Sequence, residues 1–94
     1  MRLVWLRSAL QNLQQEAEFI AEENPAAAAA LVRAVRAATK HLADFPETGR
    51  PGRVPGTREL VLEGFPYLIP YRVKDGQVQI LRIFHTRRRP PKRW

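Results

Sequence analysis

RELVLEGFPYLIPYRVKDGQVQILRIFH, running from Arg58 to His85, holds three strand-like runs: Arg58–Glu63, Pro66–Val73 and Gln77–Phe84. Each is rich in β-branched, leucine or aromatic residues. They are joined by Glu63-Gly64-Phe65 and Lys74-Asp75-Gly76, connections short enough to predict an antiparallel meander. Asp75-Gly76 has the residues that a tight reversal needs, because glycine adopts positive φ without strain. Alternation sets Tyr67, Ile69, Tyr71 and Val73 on one face and Leu68, Pro70 and Arg72 on the other. Val78, Ile80, Arg82 and Phe84 share a face, with Leu81, Ile83 and His85 opposite. Both faces are partly apolar, so one is expected against helices and the other is a candidate docking surface. Pro70 has no N–H to give a ladder, which predicts a bulge or an interrupted edge beside it.

The preceding half supplies the helices. Arg2-Leu3-Val4-Trp5-Leu6 reads as an opening strand with Trp5 as a core anchor, and Ser8 as the cap of the helix that follows. Leu10, Leu13, Ala17 and Ile20 fall on one face of that helix, with glutamines and glutamates on the wet side. The helix ends over Glu22-Glu23-Asn24, since a residue before proline is pushed out of helical geometry. Asn24 at the cap and Pro25 at the first helical position open a second helix. There Ala26 to Ala30 favour helix and allow close approach, and Leu31, Val35, Ala38 and Leu42 share a face. So short a joint predicts an antiparallel hairpin. Arg33, Arg36 and Lys40 are too few to favour a DNA-reading helix over a core-forming one. Prolines 46, 51 and 55 with glycines 49, 52 and 56 make residues 44–57 an ordered connection. Arg50 and Arg53 in it are set to hold an anion, although a plain spacer is the simpler role. The whole predicts one α+β domain: an N-terminal strand, an antiparallel helix hairpin packed on a small antiparallel sheet, and a C-terminal three-strand meander.

Composition limits the chemistry. The 94 residues are 45% hydrophobic, enough to fold, with no cysteine and two histidines, so neither a thiolate site nor a histidine metal cluster is expected. No apolar run approaches the about 20 residues that span a bilayer, and Arg7 interrupts the only apolar N-terminal run. The expected compartment is the cytoplasm. Of the net charge of +7, residues 1–56 carry +1 (seven Lys/Arg, six Asp/Glu) and residues 57–94 carry +6 (nine against three). Arg87, Arg88, Arg89, Lys92 and Arg93 crowd the end with no acid among them. Such a cluster favours phosphate or an acidic protein, against the simpler reading of a solvated tail. Pro90-Pro91 stiffens it, and Trp94 is expected to pack back on the domain.

The order strand, helix, helix, turn, three strands and basic tail resembles the RelE/ParE superfamily of toxins from bacterial toxin–antitoxin modules. The residues that carry the resemblance are Glu23-Asn24-Pro25, Phe45-Pro46-x-x-Gly49-Arg50 and Pro55-Gly56-Thr57-Arg58-Glu59-Leu60. Tyr67-x-x-x-Tyr71-Arg72-Val73 and Ile80-Leu81-Arg82-Ile83-Phe84-His85 complete the pattern, which covers essentially the whole chain. The resemblance implies a growth-inhibiting toxin in hetero-oligomeric complex with a cognate antitoxin, acidic and partly disordered, and no cofactor. It also implies one of two targets. RelE-like members cut messenger RNA in the ribosome; ParE-like members inhibit DNA gyrase. Aligned on Tyr71, the lysine positions of the nucleases fall on Glu59 and Val61 and an arginine position on Leu68, which favours the ParE-like branch. Arg87, Arg88, Arg89, Lys92, Arg93 and Trp94 are then the expected target-binding residues. The alternative is an endoribonuclease using His85, Arg82 and Arg87, with Arg88 beside them. The imidazole of His85 is of the kind suited to proton transfer near neutral pH, and Glu59 or Glu63 is a candidate base next to it. A nonspecific nucleic-acid-binding module is a third reading, carried by the tail alone.

Overall fold

A computed structural model describes residues 1–94. Eight elements follow in chain order: β1 (Arg2–Trp5), α1 (Arg7–Ala21), α2 (Pro25–Asp44), β2 (Arg50–Pro51), β3 (Arg58–Leu62), β4 (Tyr67–Lys74), β5 (Gln77–Ile80) and β6 (Phe84–His85). The strands form one sheet in the order β1-β5-β4-β3-β2, with β6 continuing the pairing of β4 beyond β5. The fold class is the expected α+β, two helices on a six-stranded sheet. The sheet is mixed rather than antiparallel, because β1 enters beside β5 and parallel to it, Leu3 opposite Val78 and Trp5 opposite Ile80. A parallel neighbour needs a long crossover, and everything between β1 and β5 serves as one.

Local signals account for the joints. The Asn24 side chain accepts the Ala27 amide at 3.0 Å and Pro25 opens α2, as its sequence requires. Asp75 and Gly76, at φ 53° and 69°, both take the left-handed conformation of a two-residue hairpin between Lys74 and Gln77. Ser8, however, does not cap α1. The helix starts at Arg7, and the Ser8 hydroxyl donates to the Leu81 carbonyl at 3.0 Å instead. Leu13 and Ile20 of the expected stripe of α1 pack against the core, but at its start Ala9 is fully buried whereas Leu10 is 53% exposed. The small alanine lets the start of the helix lie directly on the sheet.

The core lies between the helices and one sheet face. Ala9, Leu31, Val35 and Leu42 from the helices meet Leu62, Tyr67, Ile69, Tyr71, Val78, Ile80 and Ile83. Ile83 is on this face, not the opposite one, because the last strand is not continuous. Tyr71 pairs with Ile80 and Leu68 with Phe84, so Ile69 and Pro70 face the three residues 81–83. That is a bulge of one residue opposite Pro70, and it reverses the alternation beyond it. The Pro70 carbonyl still accepts the Leu81 amide at 2.9 Å. Val73, placed with the core by alternation, lies near the hairpin tip and is exposed.

The connection 44–57 is bolted down at two points and contributes the short edge strand β2. The Tyr71 hydroxyl accepts the Gly49 amide at 2.8 Å and donates to the Pro46 carbonyl at 2.7 Å. Glu59, 2% exposed, takes Arg50 at 3.4 Å, the Arg53 guanidinium at 3.3 Å and the Arg53 amide at 3.1 Å. The anion that Arg50 and Arg53 hold is therefore a carboxylate of the chain itself.

Candidate functional site

β6 delivers the basic tail to one place. Its two residues pair with the start of β4, His85 opposite Tyr67 and Phe84 opposite Leu68. The Thr86 amide donates to the Pro66 carbonyl at 2.9 Å, and the Arg88 amide turns back to the His85 carbonyl at 3.1 Å. His85 stands edge-on to the Tyr67 ring, 5.1 Å between centroids. Its Nδ1 accepts the Arg87 amide at 3.1 Å, a bond that leaves the proton of the neutral ring on Nε2. The tail thus starts from a fixed turn.

Beside this turn runs an open groove of about 750 Å³ between α1 and the sheet. Phe19, Ile20, Phe65 and Pro66 form its apolar part, and Glu16, His85, Arg87 and Arg88 its polar side. Phe19 is 68% exposed, far more than a core aromatic. Glu16 crosses between the elements: one carboxylate oxygen accepts the Tyr67 hydroxyl at 2.7 Å and the other the Arg88 guanidinium at 3.2 Å. Burial first, then the Glu16 hydrogen bond and charge, push the Tyr67 phenol well above its ordinary value, with Arg88 opposing. Tyr67 is therefore a hydrogen-bond donor here at any physiological pH.

The residues expected from the sequence separate in space. His85, Arg87 and Arg88 share the groove. Arg82 does not line it: its guanidinium donates to the Ser8 hydroxyl and to the Leu81 carbonyl, at the base of α1. The three ion pairs of the structure use Arg50, Arg53 and Arg88, so Arg87, Arg89, Lys92 and Arg93 have no carboxylate partner. Trp94 packs back on the domain, its ring tilted 67° to Phe84 at 5.2 Å, with its indole N–H buried and unpartnered. Neither Glu59 nor Glu63 lies along the groove. The carboxylate beside His85 is Glu16, which sequence reasoning missed. Its signal was its place on α1, three residues after Leu13 and four before Ile20, at the border of the apolar stripe. Chemically, the site offers cations, an imidazole and an apolar trough. No three histidine, aspartate or glutamate side chains come together as a metal site would need.

A helix hairpin on a mixed sheet, with cations beyond the last strand, is the architecture of the RelE/ParE toxins. Residues 3–90 match the family described as the ParE toxin of the type II toxin–antitoxin system parDE, and the chain belongs to that family. It is 41% identical over 90 residues to Y4kP of Sinorhizobium fredii, named as a candidate toxin, covering 96% of this chain and 93% of that one. It is 38% identical over 87 residues to Toxin RelE2 of Caulobacter vibrioides, covering 93% and 97%. A solved chain of the chromosomal ParDE toxin–antitoxin system from P. aeruginosa superposes with a TM-score of 0.82 at 35% identity, over 90% of this chain and 95% of the other.

Proposed function

We propose that this chain is the toxin of a type II toxin–antitoxin pair, that it stops growth by binding DNA gyrase in the cytoplasm, and that a cognate antitoxin neutralises it. One observation carries the choice of target. At the positions where nuclease relatives keep two lysines and an arginine stand Glu59, buried and paired with Arg50 and Arg53, Val61, exposed, and Leu68, buried. Cutting RNA through its 2′-hydroxyl needs a proton acceptor and cations around the developing negative charge. A carboxylate already held by two arginines and two aliphatic side chains supply neither. Binding, by contrast, needs placed charge and apolar surface, and the groove edge has both. The antitoxin is expected to be acidic and partly disordered, folding on this basic chain into a hetero-oligomer. ParDE is the system of the solved structural neighbour.

A ribosome-dependent endoribonuclease is the second reading. It is favoured by the grouping of His85 with Arg87 and Arg88 in one groove, and by likeness to a relative named RelE2. Arg82, the third residue of that reading, is tied to Ser8 and lies outside the groove. The test adds the purified chain to gyrase with relaxed plasmid, and to a translating extract whose transcripts are mapped for cuts. The expected result is lost supercoiling with intact transcripts, and growth inhibition that survives His85→Gln. Cut transcripts with gyrase untouched, together with an about 10²–10⁴-fold loss on His85→Gln, would move the chain to the nuclease branch.

A further inference from the structure

Glu16 is 51 residues from Tyr67 and 72 from Arg88 in sequence, yet it binds both. Its side chain is only 14% exposed, while that of Arg88 is 64% exposed. As an isolated surface pair, the Arg88 contact would be weak. It is strengthened because the carboxylate is largely withdrawn from water and already oriented by the Tyr67 hydroxyl on its other oxygen. The same Tyr67 ring carries the edge of His85, and His85 in turn takes the amides of Arg87 and Arg88. Residues 85–88 are thus fixed from two sides, by the β4 pairing and by a helix.

We propose that Glu16 is a positioning residue, a latch that ties the start of the basic tail to α1. Arg88 is engaged in holding the turn, and Arg87, with no carboxylate partner, is the cation left at a fixed point beside the groove. Ordering the turn before an encounter removes part of the entropy cost that binding through long, rotamer-rich side chains otherwise carries. The geometry of the latch stands by itself. Its consequence for toxicity rests on the reading that the tail engages the target.

Amide hydrogen exchange on the full chain, followed by NMR, tests it. Glu16→Gln keeps the shape and an acceptor for Tyr67 but removes the charge that holds Arg88. It is expected to speed exchange at Thr86, Arg87 and Arg88 by about three- to tenfold, with amides of the β3–β4 ladder unchanged. In an Arg88→Ala background, Glu16→Gln should add nothing at Thr86 and Arg87. Unchanged tail exchange overturns the latch. Equal acceleration throughout the sheet overturns it too, because Glu16 would then support only global stability. Growth inhibition is scored on the same variants: a loosened tail with undiminished inhibition keeps the latch and removes the tail from target binding, so the two failures are told apart.

Discussion

Tyr71→Phe isolates the bolt between the sheet and the 44–57 connection. Tyr71 is fully buried, and its hydroxyl both accepts the Gly49 amide at 2.8 Å and donates to the Pro46 carbonyl at 2.7 Å. The approach is close: a Cβ on Gly49 would lie 2.6 Å from the tyrosine ring and oxygen, so the glycine is there to admit the phenol. Removing the oxygen leaves the ring and its packing in place. The buried Gly49 amide then loses its only acceptor, which costs about 1–3 kcal/mol, and the Pro46 carbonyl, partly accessible, regains water at little cost. A net loss of about 2 kcal/mol corresponds to a fall in Tm of about 8–16 °C for a domain of this size. Thermal and urea unfolding followed by circular dichroism measure it, with the urea midpoint expected to fall at unchanged slope. A Tm within about 2 °C of the parent would refute the reasoning, since the amide would then have another acceptor. Growth inhibition at low temperature should persist, because the groove around Tyr67 and His85 does not depend on this bolt.

Three further outcomes follow from the geometry. Burial raises the phenol of Tyr71, and burial with Glu16 raises that of Tyr67, above the value of 10.0 that each has when unfolded. The folded chain therefore retains protons that the unfolded chain gives up. Their stabilisation is complete below pH 10 and is lost as pH rises above it; urea midpoints at pH 9 and 11 should drop less in Tyr67→Phe/Tyr71→Phe than in the parent. Asp75→Val puts a β-branched residue at φ 53° and should cost about 1–2 kcal/mol, whereas Asp75→Gly should be tolerated in the same unfolding assay. Among tail variants scored by growth inhibition, Arg87→Ala and Arg88→Ala are each expected to weaken it, while Arg89, Lys92 and Arg93 matter only together. Truncation after Arg89 also removes the Trp94 contact with Phe84, worth about 0.5–1.5 kcal/mol of stability.

The amino-acid sequence alone determined the features whose energies are decided within a few residues. Asn24-Pro25 opens α2 because cap and proline act on the next turn of backbone. Asp75-Gly76 closes its hairpin because positive φ is a property of those residues themselves, and Pro70 breaks the ladder beside it because it has no N–H. The basic tail after His85 was legible as charge. Only the tertiary structure decided what depends on which distant segments meet. The bulge at 81–83 sends Ile83 to the core, against simple alternation. The sheet claims Ser8 for the Leu81 carbonyl, so the helix goes without that cap. Arg50 and Arg53, placed in a loop as if for a foreign anion, close on Glu59. Glu16, one polar residue among several on a helix, becomes the partner of Tyr67 and Arg88 only when β4 and the tail are laid against α1. Such pairings carry no local signature, because their free energy arises from burying donors and acceptors that are remote in sequence until the chain has closed.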